Sequence, residues 1–447
     1  MTQAAHLGSR SRVRLPTGVR DFLPRAAARR RDIAERLLAV FEQWGFERII
    51  TPIFECADVL ERGLGQGARA AALRFVEPLS GEVVALRPDI TPQIARIAAT
   101  RLGDVGGPLR LCYEGSVMRL QDGPRGQREI LQAGVELIGA APPDGDAEAL
   151  ALAAAALSSM RIGEIRLDVG HVGLARYALG KAGDREVRRD LEVALFKKDR
   201  AGIARAASGC DGEMRQVLEA LTELYGEPER VLARARALPL PADVAASIEN
   251  VAEVLERARD LIDADLFADI TVDLGEVRGF DYYTGIRFSG YAAGAGEAVL
   301  QGGRYDELLG HYGRGARATG FAVDIEAVAR AQRACGMQPP APRHRLLLAA
   351  APGSSGAGRE AARLASRLRA QGLTAAVHLG DEIGAAELVA YARQVGLSRV
   401  LLLDPDGARA YFTDEPGDPP QPRTLRPESL GDLATLCDAL ALDTQAR

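Results

Sequence analysis

The sequence predicts an α+β core, an antiparallel sheet flanked by helices, followed by a small α/β domain. Three observations lead there. The chain has 447 residues, beyond the size at which a single hydrophobic core keeps growing, so at least two domains are expected. Before Pro339, short strand patterns stand on either side of one long helical stretch, which is an α+β signature. After the stiff run Pro339-Pro340-Ala341-Pro342, strand and helix patterns alternate, as in a parallel α/β sheet.

In chain order, residues 1–13 are basic and polar and form a flexible tail without an apolar segment behind it. Residues 14–338 form the core. Arg29 to Trp44 predicts an amphipathic helix, with Ile33, Leu37, Leu38, Phe41 and Trp44 on one stripe and Gly45 as its stop. Phe46 to Phe54 follows as one strand-like run. Pro52 lacks a ladder N–H and consigns that run to a sheet edge or a subunit contact. Glu82 to Leu86, Leu109 to Tyr113 and Gln132 to Ile138 are the next strands, and Asp146 caps a long Ala/Leu helix. Residues 174–264 are charge-rich and helical, an insertion between two halves of the sheet. Strands resume at Ile270 to Leu274, Tyr282 to Phe288 and Glu297 to Leu300. Residues 339–344 form the linker, and 345–447 the second domain: strand (Arg345 to Ala350), helix (Gly358 to Gln371), strand (Thr374 to His378), helix (Ala385 to Val395), strand (Arg399 to Leu403).

Composition removes several function classes. A net charge of -5 argues against bulk nucleic-acid binding, which needs counterion release from a basic face. The five cysteines and five histidines are scattered, without paired metal-ligand spacing or a disulfide frame. Neither a metal nor a cofactor is expected. No apolar run spans a bilayer, and the expected location is the cytoplasm. Walker-type loops, dinucleotide-binding glycine fingerprints and nucleophile elbows are absent from the sequence.

Four stretches carry candidate chemistry. In Leu86 to Gln93, Asp89 and Thr91 stand at a strand end, where they either hold an ammonium group or cap the helix that follows. Arg119 precedes a loop and a strand on which Gln132 and Glu136, four apart, share a face; a solvated sheet face is the plainer explanation. Arg278-Gly279-Phe280-Asp281-Tyr282-Tyr283 reads as an aromatic strand whose two tyrosines point to opposite faces. Gly302-Gly303-Arg304-Tyr305-Asp306 permits a tight turn, and Thr319 to Ala327 follows it.

Taken together and in this order, these stretches resemble the class II histidyl-tRNA synthetase family from about residue 14 to residue 335, and more weakly that family's anticodon-binding domain beyond the linker. Gly45 to Phe54 is similar to the first class II motif, which builds a dimer interface. Arg119 with its loop and following strand is similar to the second, Arg278 to Tyr283 resembles the family's histidine-specific signature, and Gly302 to Asp306 with Thr319 to Glu326 resemble the lead-in of the third. The resemblance implies a histidine pocket. Asp89, in place of the usual Glu, stands where the family holds the ligand's α-ammonium, and Thr91 is beside it. Gln132, Glu136, Tyr282 and Tyr283 stand at ligand-contacting positions, and Arg119 and Arg278 at those of the two catalytic arginines.

The nucleotide side departs from the family. Gln121 replaces a Glu that orients adenine, the loop after it is one residue shorter, Asp324 replaces a Gly, and Ala327 replaces an arginine that reaches the triphosphate. A chain of this kind is similar to the synthetase paralogues that act as regulatory subunits of ATP phosphoribosyltransferase. That resemblance implies a non-catalytic partner of a short-form ATP phosphoribosyltransferase catalytic subunit, required for the first step of histidine biosynthesis, with L-histidine as its feedback ligand. Such subunits are often shorter, and the residues after 344 are a departure. The alternative is a divergent histidyl-tRNA synthetase.

Overall fold

The computed structural model describes residues 14–120, 127–181, 185–277, 283–338, 345–417 and 419–442. The tail and the linker lie outside them. The chain divides into two compact units, Met1–Pro339 and Pro340–Arg447.

The first unit contains β1 (Glu47–Arg48), β2 (Phe54–Cys56), β3 (Arg74–Val76), β4 (Val83–Leu86), β5 (Leu109–Met118), β6 (Glu129–Ile138), β7 (Ile165–His171), β8 (Tyr225–Gly226), β9 (Ile270–Asp273), β10 (Ile286–Ala292), β11 (Leu300–Arg304) and β12 (Ala318–Asp324). Nine of them form one sheet in the order β1-β5-β6-β12-β11-β10-β7-β9-β8. Its pairs are antiparallel except β1–β5 and β7–β9. β2, β4 and β3 form a small separate sheet.

Period-two alternation gives the large sheet two unlike faces. Val135 and Leu137 of β6, Phe321 and Val323 of β12, Ile286 and Phe288 of β10, and Leu167 and Val169 of β7 belong to one buried apolar cluster. The helices Pro24–Gln43, Asp144–Ser159, Ala242–Arg259 and Ile325–Ala334 contribute to that same cluster. The other face carries Gln132, Glu136, Gly320, Asp324, Gly303, Arg287 and Asp168, and it is concave.

Several boundaries differ from expectation. The first helix begins at Pro24, because Pro is tolerated in the first turn. Phe46 to Phe54 is not one strand: only Glu47–Arg48 pairs with β5, and the chain leaves the large sheet before Pro52 and joins the small one at Phe54. The strand expected at Tyr282 to Phe288 is β10, which starts at Ile286 and leaves Tyr283 in the preceding turn. The strand expected at Glu297 to Leu300 is β11, shifted to Leu300–Arg304. Among the described residues the insertion is mainly helical, and its one strand is the two-residue β8.

Asp146 does not cap its helix. It lies in the first turn of Asp144–Ser159, fully buried, with both carboxylate oxygens 2.9 Å from Arg304 Nε. Arg304 also holds Asp306 Oδ1 at 2.9 Å, and that atom accepts the Ala318 N–H at 2.9 Å. The turn after β11 is thus bolted to the helix beneath the sheet by one guanidinium. Burial pushes the Asp146 carboxyl up from its usual range, and Arg304 pulls it back down. A second ionic knot joins the buried pair Glu326 and Arg30 to the half-exposed Arg20; the Arg30 guanidinium lies 3.7 Å from the Phe22 ring centroid.

The second unit has β13 (Arg345–Ala350), β14 (Thr374–Val377), β15 (Arg399–Asp404), β16 (Gly407–Phe412) and β17 (Arg423–Leu425), in the order β14-β13-β15-β16-β17. Its first three strands are parallel, as expected, and a hairpin adds two antiparallel ones. The helices Ala357–Ala370 and Ala385–Val395 contribute to separate apolar clusters of this unit.

Arg304→Met should destabilise the first unit by about 3–5 kcal/mol, since it strands the Asp146 carboxylate without a counter-charge. Adding Asp146→Leu should recover most of the loss. Urea denaturation of the two variants checks this, and equal losses in single and double variants would contradict it.

Candidate functional site

The concave face of the large sheet encloses a cavity of about 890 Å³. Gly320 lines it beside Glu136, where any side chain would intrude. Glu136, Gly320, Gly303 and Arg287 follow one another directly across four strands. A Cβ on Gly320 would run into the Val135 carbonyl and the Glu136 carboxylate, and one on Gly303 (φ +153°) into the Ile286 carbonyl and the Tyr283 ring.

One end of the cavity is built around Glu136, whose residue is 1 % exposed. Thr91 Oγ1 donates to its Oε1 at 2.5 Å, and the Tyr305 hydroxyl donates to its Oε2. Burial pushes the Glu136 carboxyl up to about 8, against the pull of hydrogen bonds from Thr91 and Tyr305. Burial likewise raises the Tyr283 and Tyr113 hydroxyls above the usual tyrosine range. Thr91 stands at the first turn of the helix Thr91–Thr100, and its N–H donates to Asp89 Oδ1 at 3.3 Å. The Arg87 guanidinium fixes the turn before it, donating to Thr51 Oγ1 and to the Ser116 carbonyl, each at 2.8 Å. Arg119 leaves β5 and donates from Nε to the Pro88 carbonyl at 2.9 Å, beside Asp89.

Asp89, Thr91, Arg119, Gln132, Glu136 and Tyr283 therefore line one cavity. Gln132 and Glu136 share a face, and that face is the cavity wall, not solvated surface. Arg278 and Tyr282 lie outside the described residues, as do Gln121 and its loop. Sequence reasoning missed Tyr305 as a site residue, although it stands in the quoted run after Gly302-Gly303; its bond to Glu136 closes the back of the pocket. It also missed Phe196 and Tyr291, which line the far end. Phe196 ends a helix of the insertion, Arg185–Phe196, and an exposed aromatic in a charged helix leaves no local mark of a site. Asp324 lines that far end and caps the helix Ile325–Ala334, while Ala327 is fully buried in the core. No group of three His, Cys, Asp or Glu side chains suited to a metal occurs among the described residues, and no helix among them is long and apolar enough to cross a membrane.

The arrangement suits a small zwitterion. It offers carboxylates for a cation, an arginine for an anion, and a carboxyl flanked by tyrosines for a ring that both donates and accepts.

A family model described as histidyl-tRNA synthetase matches residues 18–328. An ATP phosphoribosyltransferase regulatory subunit from Anaeromyxobacter dehalogenans is 45 % identical over 323 residues, 71 % of this chain and 90 % of the relative. One from Symbiobacterium thermophilum is 38 % identical over 397 residues, 88 % of this chain and 97 % of the relative. That alignment is longer than the first unit, so the likeness continues into the second. Part of the second unit thus has a counterpart in that relative. A crystal structure of an ATP phosphoribosyltransferase regulatory subunit/histidyl-tRNA synthetase from Bacillus halodurans superposes with a TM-score of 0.75 at 26 % identity, covering 90 % of this chain and all of the other. With its class II synthetase-like fold, the chain belongs to the histidyl-tRNA synthetase family and, within it, to the ATP phosphoribosyltransferase regulatory subunits.

Proposed function

We propose that the chain is a non-catalytic, histidine-sensing subunit. It would join a short-form ATP phosphoribosyltransferase catalytic subunit and make feedback by L-histidine possible. The observation that carries this reading is the asymmetry of the cavity. Around Glu136 it gathers carboxyls, hydroxyls and Arg119, groups that suit an amino acid, and farther along it carries Asp324, a carboxylate where a triphosphate would need cations.

In this reading Asp89 and Gln132 hold the α-ammonium, Arg119 holds the carboxylate, and Glu136 with Thr91, Tyr283 and Tyr305 holds the imidazole. Neutral imidazole presents one donor and one acceptor. A carboxyl titrating near neutrality supplies a partner for either nitrogen. Arg278 and Tyr282 belong to the proposed set through their motif. Losing one charge-assisted phosphate contact costs about 1.5–3 kcal/mol, and a carboxylate beside the phosphates adds repulsion. Activation of histidine by ATP is therefore not part of the proposal. Pairing of two copies through the Gly45 to Phe54 region is part of it, supported by the exposure of Ile50 and Ile53. Histidine would act on the partner only through a difference in affinity between two states of the complex.

Titration calorimetry should give histidine binding that is lost in Glu136→Ala, and no ATP binding. Histidine-dependent exchange of pyrophosphate into ATP would instead establish a synthetase and sink the proposal.

The raised Glu136 carboxyl has a pH signature. Folded Glu136 keeps its proton up to about 8, while a free glutamate carboxyl titrates near 4.5. Between those values the folded state binds more protons than the unfolded one, so stability contributed at low pH is lost as the pH rises. In thermal melts the unliganded protein should lose stability from pH 5 to pH 8 relative to Glu136→Gln. Parallel pH profiles for the two proteins would contradict a buried, protonated Glu136.

A further inference from the structure

The helix Ile325–Ala334 begins at the cavity wall, and an open helix N-terminus there would attract anions. It is not open. Asp324 Oδ1 accepts the Ala327 N–H at 2.9 Å, so the helix is capped by its own preceding carboxylate. Directly opposite Asp324 on the neighbouring strand is Gln132, and both line the cavity. Opposed residues in such a pair have Cβ atoms about 4.5–5.5 Å apart. Gln132 is only 7 % exposed, and its Oε1 has no hydrogen-bond partner among the described residues. A buried acceptor of this kind normally finds a donor.

Arg330, whose charge acts on Asp324, does not supply one. Arg330 pairs with Glu297 and donates from Nε to the Ala295 carbonyl at 3.3 Å. The β6–β12 wall therefore presents two adjacent acceptors, one of them a carboxylate, facing the same space as Asp89.

We propose that Asp324 and Gln132 form an ammonium subsite, so that Asp324 selects a ligand bearing a free amino group and excludes a phosphate from the same place. This deepens the histidine reading and rests on it: Asp324 becomes a second carboxylate for the ligand's α-ammonium, across the cavity wall from Asp89. An ammonium offers three donors, enough to satisfy Gln132 Oε1 and a carboxylate on either side. The half-buried position makes the ion pair stronger than a surface one.

The test uses the full chain and three probes in titration calorimetry: histidine, histamine, which keeps the ammonium and lacks the carboxylate, and imidazolepropionate, which lacks the ammonium. Asn caps helices as well as Asp, so Asp324→Asn removes the charge and keeps the cap. Asp324→Ser is the second variant should the first not fold. Either variant should weaken histidine and histamine about tenfold or more, the size of one charge-assisted hydrogen bond, and leave imidazolepropionate within about twofold. Histidine affinity within about twofold of wild type in the folded variant would reduce Asp324 to a helix cap and overturn the proposal. Wild-type binding of histamine without histidine, lost in the variant, would uphold the subsite and sink the histidine reading. Binding of neither would overturn both.

Discussion

A carboxyl group inside a protein must be satisfied by its neighbours, and Glu136 draws its neighbours from two stretches of chain distant from its own. Thr91 comes from the helix after the small sheet, Tyr305 from the turn after β11, and Glu136 itself from the middle of β6. Burying an ionised carboxylate without partners is far costlier than burying it protonated and hydrogen-bonded. The carboxyl titrating near 8 is the outcome of that balance. The glycines beside it follow from the same constraint, since a side chain on Gly320 would occupy the space that the carboxyl needs. Arg304 then holds the Tyr305 turn in place through Asp146 and Asp306. Pocket, floor and turn are one construction.

That construction has two electrostatic ends. Around Glu136 the wall mixes acceptors, hydroxyls and the Arg119 guanidinium, which suits a molecule that is cationic at one point and anionic at another. Toward Tyr291 and Phe196 the described charges are Asp324 and Glu297, the latter already paired with Arg330. The carboxylate cap of Ile325–Ala334 removes the N–H donors that would otherwise welcome an anion there. The cavity is larger than an amino acid, and its end toward Tyr291 and Phe196 is the one least suited to phosphate.

Much of this was legible in the sequence, for identifiable reasons. The β6 alternation put Gln132 and Glu136 on one face, and spacing of this kind survives into any sheet. The helix stop at Gly45, at φ +81°, and the parallel strands after residue 344 are similarly local signals. What local pattern did not reveal depends on contacts distant in sequence. Asp146 looks like a cap because acidic residues favour helix starts, and only the fold brings Arg304 to it across 158 residues. Tyr305 reads as a turn residue until β6 lies beneath it. Phe46 to Phe54 reads as one strand because it is rich in β-branched and aromatic residues, but Pro52 interrupts the ladder and the two ends join different sheets. The insertion's Phe196 carries no mark at all, since its role exists only where the helix end meets the cavity.

The central claim is that this synthetase scaffold works through a partner. The most direct measurement mixes the purified chain with a short-form ATP phosphoribosyltransferase catalytic subunit and follows phosphoribosyl-ATP formation with and without L-histidine. The account predicts little activity from the catalytic subunit alone, strong activity with the chain present, and inhibition by histidine that Glu136→Ala abolishes. Activity independent of the chain, or inhibition that survives the loss of Glu136, would contradict it.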